Sequence, residues 1–160
     1  YIFAPGAEYG PAKRWPSSHF AELATKILHA DVNAQIIILG SKADDVLGQA
    51  IQDQSKAMER IHNWCGVINL EEAMAVIVQS TQVISNDSGL MHIAAALSVP
   101  QIALFGSSNP KHTPPLSKQA KVIWLGLTCS PCYQRICPLG HLDCLTKIEA
   151  EQVYTMLNPN

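Results

Sequence analysis

The chain carries little charge and no long hydrophobic run, and each shortage removes a class of function. Only 15% of its 160 residues are Asp, Glu, Lys or Arg, and the formal net charge is −2. With no surplus of Lys and Arg and no basic stripe, there is no electrostatic case for binding nucleic acid. No apolar stretch approaches the roughly 20 residues that a membrane-spanning helix needs. Internal repeats and low-complexity linkers are missing too, which removes solenoids and tethered modules. No signal-peptide pattern is visible, and the chain opens at Tyr1 rather than Met. The expectation is a piece excised from a longer protein.

What is present is a globular composition, 48% apolar, at a length suited to one domain that removes about two-thirds of its unfolded surface from water. Strand and helix patterns alternate along it. Residues 1–4 form a short strand candidate ended by Pro5-Gly6. After Pro16, Ser17 or Ser18 can cap a helix with Phe20, Leu23, Ala24, Ile27 and Leu28 inward. The unbroken apolar run at 36–39 is typical of a strand covered on both faces. A more polar helix should run from about 43 to 58, and residues 64–66 are a short strand candidate. Asn69 and Glu72 have capping-box spacing before a helix with Leu70, Ala73, Met74, Ile77 and Val78 inward. Strands follow near 83–85, at 101–105 and at 121–125. A last helix turns Val153, Met156 and Leu157 inward. Repeated strand–helix units predict an α/β fold, a parallel sheet flanked by helices on both faces.

Ligands of such sheets gather at the carboxyl ends of the strands. The loops expected there are 5–16, 40–44, 86–89 and 106–110, all rich in Gly, Ser, Asn or Pro. The most informative is Asn86-Asp87-Ser88-Gly89-Leu90-Met91-His92, a strand-to-helix turn whose helix Pro100 prevents from continuing. Free backbone N–H groups and a helix dipole meet there, which suits a phosphate. Lys13 or Arg14 in the first loop can add a mobile positive charge. A plain reading stands beside this one. Asp and Ser fill turn and cap positions routinely, His92 fits a satisfied, partly buried histidine, and two basic residues before a helix are commonly solvated. Trp15 reads as an anchor packing its loop onto the sheet. Met74 and Met91 read as core, and His19, His29, His62, His112 and His141 as surface or loop residues.

Pro5-Gly6-Ala7, Lys13-Arg14-Trp15-Pro16, the 86–96 segment, Phe105-Gly106 and Thr113-Pro114-Pro115 together resemble the bacterial ADP-heptose:lipopolysaccharide heptosyltransferases, the type II enzymes most of all. The resemblance covers nearly the whole chain. It implies two Rossmann-like domains facing across a cleft, the GT-B arrangement, with residues 1–160 forming the C-terminal, donor-binding domain. The N-terminal acceptor domain is then absent from this chain. Lys13 would lie against the ADP diphosphate and Asp87 against the heptose, the two residues to which the reaction is assigned. Ser88, Gly89 and His92 would serve the phosphates, Gly6 and Ala7 would line the floor, and Ile68 would border the adenine. Asp44 is the candidate carboxylate of the 40–44 loop by proximity. The implied reaction inverts the anomeric centre, with no cofactor beyond the donor substrate ADP-heptose. The chain has no Asp-x-Asp motif, in keeping with lysine and helix-end donors standing in for a divalent cation. The catalytic base would be an aspartate of the missing domain, so this chain alone should bind ADP without turnover. Implied partners are the lipopolysaccharide inner-core acceptor (Kdo-lipid A carrying heptose) and the chain's own N-terminal domain. Both would meet at the cytoplasmic face of the inner membrane of a Gram-negative bacterium. A different GT-B nucleotide-sugar enzyme is the alternative.

Five cysteines stand apart from these motifs. Cys65 is isolated and reads as a small buried apolar residue. Cys129, Cys132, Cys137 and Cys144 follow a Cys-x2-Cys-x4-Cys-x6-Cys pattern. They could hold zinc or an iron–sulfur cluster, form disulfides, or remain free thiols in a loop. The reducing cytosol implied by the resemblance argues against disulfides. A metal-dependent interaction module built on these cysteines is the non-enzymatic reading.

Overall fold

A computed structural model describes residues 1–56 and 58–157. Among them, six strands form one parallel sheet: β1 (Ile2–Ala4), β2 (Ile36–Ile38), β3 (Ile61–Asn63), β4 (Val83–Asn86), β5 (Gln101–Phe105) and β6 (Ala120–Trp124). Their order is β3-β2-β1-β4-β5-β6. The first four connections are helical: α1 (Ser17–Ala30), α2 (Asp45–Gln54), α3 (Leu70–Val78) and α4 (Gly89–Ala96), while a loop joins β5 to β6 and α5 (Asp143–Thr146) and α6 (Ala150–Leu157) follow. None of the described helices is long and apolar enough to cross a membrane.

Strand periodicity distributes the side chains between two apolar layers. Phe3, Ile36, Ile38, Ile84, Ile102 and Leu104 pack with Phe20, Leu23 and Ile27 of α1, Ile51 of α2 and Val153 of α6. Ile2 and Val83 point the other way, toward Ala73 and Ile77 of α3 and Ala94 of α4. With both faces covered, the central strands are buried, and β5 is buried along its whole length.

Three expectations shift. The third strand is 61–63 rather than 64–66, at the sheet edge beyond β2, where one strand neighbour suffices and polar residues such as His62 are tolerated. α2 ends at Gln54, after a single 3-10 turn at Lys42–Asp44; residue 57, inside the expected span, lies outside the described residues. In α3 only Ala73 and Ile77 of the expected stripe are buried, while Leu70, Met74 and Val78 are exposed. Ala73 and Ile77 pack in one apolar cluster with Ala94 of α4.

The strand order reverses between β1 and β4, which pair side by side through Ala4 and Ser85. Loops leaving two such neighbours run to opposite faces and open a crevice between them. The loop after β1 carries Lys13, and the turn after β4 carries Asp87. The candidate site lies at this crevice.

Candidate functional site

Asn86, the last residue of β4, is fully buried and organises the loop after β1. Its Nδ2 donates to Pro5 O at 2.7 Å, and its Oδ1 accepts from the Trp15 backbone N–H at 3.0 Å. Both ends of that loop are thereby tied to one side chain. Trp15 is the anchor its sequence context suggests. Its indole N–H donates to Ile148 O at 2.8 Å, and its ring meets Phe20 edge-on at 4.7 Å.

With the loop pinned, Lys13 Nζ reaches Asp87 Oδ2 at 2.5 Å across 74 positions of sequence. The side chains are 17% and 5% exposed, so the pair is shielded from bulk screening. Ser108 Oγ, also buried, donates to the same Oδ2 at 2.5 Å. The tyrosine ring of Tyr9 lies 5.0 Å from Lys13 Nζ, within cation–π range.

Beside this pair is a cavity of about 700 Å³, large enough for a nucleotide. Gly6, Ala7, Asp44, Ile68, Ser88 and Gly89 all line it. Leu39, Leu70, Ala73, Leu90 and Ile93 make one wall apolar, which explains why Leu70 faces out of the core. Lys13 and Asp87 do not line the cavity themselves; they adjoin it as the chain neighbours of the wall residues Arg14 and Ser88. His92 is exposed and, like Lys13 and Asp87, absent from the lining.

Two walls of the cavity are polar. Ser88 is the N-cap of α4, yet its hydroxyl makes no capping bond and is a buried group with no partner. The amides of the first turn of α4 therefore lack a side-chain acceptor at their cap, the condition in which a helix N-terminus takes an anion. A Cβ on Gly89 would meet no protein atom within 4 Å, so glycine keeps the approach to that turn open. Opposite, Asp44 Oδ2 accepts from Ser41 N at 2.9 Å and Ser41 Oγ at 2.7 Å. A Cβ on Gly6 would come within 2.5 Å of that carboxylate. Arg14 donates to Ala7 O and approaches Asp44 at 3.9 Å.

Ser108 and Asn86 are the polar groups sequence reasoning left unassigned. The 106–110 loop is singled out by its composition, but nothing local distinguishes Ser108 from Ser107. Elsewhere, the lone histidines are at the surface or partly buried: His62 meets Gln35, and His112 stacks on Tyr133. Cys65 is buried, and desolvation pushes its thiol up to about 12. All five cysteines are free thiols, so no disulfide joins the four of 129–144.

An apolar wall, a helix N-terminus and a lysine–aspartate pair at a switch point suit a diphosphate nucleotide carrying a polar group. Comparison with known proteins identifies the family. The family described as glycosyltransferase family 9 (heptosyltransferase) matches residues 1–143. Lipopolysaccharide heptosyltransferase 2 of Escherichia coli K12 is 44% identical over 127 residues, covering 77% of this chain and 35% of that protein. Lipooligosaccharide heptosyltransferase 2 of Campylobacter jejuni is 35% identical over 152 residues, 93% of this chain and 47% of its own. The solved structure of E. coli ADP-heptose lps heptosyltransferase II superposes with a TM-score of 0.86 at 38% identity, over 98% of this chain and 44% of that one. This chain thus spans between about a third and a half of the length of these relatives. On sequence and on fold together, it belongs to glycosyltransferase family 9, the heptosyltransferases.

Proposed function

We propose that residues 1–160 are the donor-binding domain of a heptosyltransferase that moves heptose from ADP-heptose to the lipopolysaccharide inner core. The observation that carries the reading is the Lys13–Asp87 pair beside the uncapped first turn of α4. The diphosphate sits against that turn and the unpartnered Ser88 hydroxyl, and the adenine lies on the apolar wall near Ile68. Lys13 swings between Asp87 and the diphosphate, neutralising the charge that grows on the departing ADP. Lys13 and Ser108 both engage Oδ2 of Asp87, which leaves Oδ1 to accept from heptose hydroxyls.

Transfer proceeds with inversion, and lysine with helix-end amides supplies the leaving-group stabilisation without a metal. The sequence offers no Asp-x-Asp pair for a divalent cation. The base that deprotonates the acceptor hydroxyl is an aspartate of an N-terminal domain outside this chain, so residues 1–160 bind donor without catalysing transfer. The acceptor is anchored in lipid, which brings the enzyme to the cytoplasmic face of the inner membrane as a peripheral protein. His92 is retained as a phosphate-side residue, one that would have to turn toward the ligand.

Calorimetric competition on the 160-residue chain tests this. ADP should displace bound ADP-heptose far better than UDP does. Equal displacement by UDP would point to a different GT-B nucleotide-sugar enzyme, and measurable heptose transfer by this chain alone would refute the two-domain assignment.

A further inference from the structure

A second built surface adjoins Lys13 outside the large cavity, whose lining includes none of Tyr9, His112, Tyr133 and Arg135. The Tyr9 ring centroid lies 5.0 Å from Lys13 Nζ and 5.4 Å from the guanidinium carbon of Arg135. Two loops are laced together to hold it there. The Tyr9 hydroxyl donates to Tyr133 O at 2.5 Å, and the Ala12 N–H donates to Arg135 O at 3.1 Å. A Cβ on Gly10 would come within 2.6 Å of Arg135 O, so glycine is what lets the loops approach this closely. Tyr133 takes a left-handed φ of 54°, and its N–H donates to Ser107 O at 2.8 Å. Its ring is within 7° of parallel to that of His112, with centroids 6.1 Å apart and the Tyr133 hydroxyl 3.0 Å from His112 Nδ1. Tyr9 and Tyr133 remain 38% and 46% exposed, and His112 and Arg135 are exposed as well.

The Arg135 charge has no counterion. Among the described residues its guanidinium pairs with no carboxylate, and its hydrogen bonding is one long contact with Glu8 O at 3.5 Å. Lys111, next to His112 in the chain, pairs with no carboxylate among them either. A guanidinium in this condition presents a planar fork that takes a carboxylate or phosphate through two hydrogen bonds. The tyrosine rings beside it present flat apolar faces with a polar tip, a surface on which the C–H face of a sugar ring can pack. A nucleotide filling the large cavity leaves all these groups uncovered.

We propose that Tyr9, His112, Tyr133 and Arg135 form an acceptor subsite on this domain, one that takes an acidic sugar bearing a carboxylate or a phosphate. This subsite rests on the donor reading above, in which Lys13 and Asp87 mark the place of the diphosphate and the heptose. Tyr9 touches the same Lys13 ammonium from outside the nucleotide cavity, so a sugar lying on it is brought to the edge of the transfer centre. Arg135 holds the anion of that sugar, and the Tyr9 and Tyr133 rings support its apolar face. The subsite binds and orients, and no bond is made or broken by its residues.

Calorimetric titration of the ADP-loaded 160-residue chain with a lipid-free inner-core oligosaccharide, its carboxylates and phosphates intact, tests the subsite. The wild-type chain should bind it, and Arg135→Gln should bind it about tenfold more weakly, the loss of a hydrogen bond to a charged group. Tyr133→Asn, which removes the ring but tolerates the left-handed backbone, should weaken it about threefold or more. Both variants should keep ADP affinity within about twofold of wild type, which shows that they fold. Lys118→Gln, at the opposite edge of the sheet before β6, should change neither ligand. Carboxyl-reduced and dephosphorylated forms of the oligosaccharide separate the two anions. The form that wild type binds as weakly as Arg135→Gln binds the intact one lacks the group Arg135 holds. No oligosaccharide binding while ADP binds normally, or equal binding by wild type and Arg135→Gln, would overturn the subsite and leave the donor reading standing. Failure of ADP to bind the wild-type chain would overturn the donor reading itself.

Discussion

Asn86 Oδ1 accepts from the backbone N–H of Trp15 at 3.0 Å, two residues beyond Lys13 and one before Asp87. A single buried amide thereby sets the register between the two segments that build the crevice. Asn86→Ala leaves the Trp15 N–H and the Pro5 carbonyl without partners, at about 1–3 kcal/mol for each buried group. The expected loss is about 2–5 kcal/mol in urea unfolding, with weakened ADP binding. A loss below about 0.5 kcal/mol would mean the loop is held by something else.

Ser108 Oγ donates to the Asp87 carboxylate and lies outside the lining of the large cavity. Ser108→Ala should therefore leave ADP affinity within about twofold, while the preference for ADP-heptose over ADP falls by about tenfold, the worth of one hydrogen bond to a charged group. Ser108→Thr, which keeps the hydroxyl, should restore that preference. Titration of both ligands into the three proteins separates this from simple destabilisation, which would lower both affinities together.

Gly6 and Gly89 line the same cavity for opposite reasons. A methyl group at Gly6 collides with the Asp44 carboxylate, so Gly6→Ala should cost about 1–3 kcal/mol and disturb the Asp44–Ser41 contacts. At Gly89 a methyl meets no protein atom. Gly89→Ala should leave stability unchanged or raise it by up to about 1 kcal/mol, because alanine favours the helix. The same change should weaken ADP, since the methyl would lie between the diphosphate and the α4 amides. Thermal unfolding with and without ADP reads both effects.

Cys65 gives the chain an alkaline liability. Its folded pKa is pushed up to about 12, chiefly by burial, from an ordinary value of 9.0. A group raised in this way stays protonated in the native state while the unfolded chain ionises, so the unfolded state binds fewer protons. Its stabilising effect is complete below pH 9 and is lost as pH rises toward 12. The difference in stability between wild type and Cys65→Ala should shrink over that window, by up to about 1.4 kcal/mol per pH unit. A difference constant from pH 8 to 11 would show that Cys65 ionises freely in the folded protein.

Much of this was readable from the residues alone. The apolar run at Ile36–Ile38, the stripe of α1 and the Asn69–Glu72 capping box each declare their element locally, and the box forms as expected. Local pattern failed at the sheet edge, where β3 is half polar, and on α3, where Leu70 faces a cavity. Lys13 and Asp87 could be named separately, but their pairing spans 74 positions and exists only once β1 and β4 are neighbours. Ser108 was hidden for the same reason. Its role depends on where a loop returns, and no spacing rule encodes that. The cysteines show the reverse case, in which spacing left three chemistries open and the fold placed four thiols around one cavity.

A crystal of the 160-residue chain soaked with ADP would test the central claim most directly. The diphosphate should lie between Lys13 Nζ and the first turn of α4, with the Ser88 hydroxyl bonded to it and the adenine against Ile68. Nucleotide density elsewhere, with this crevice filled only by solvent, would contradict the account.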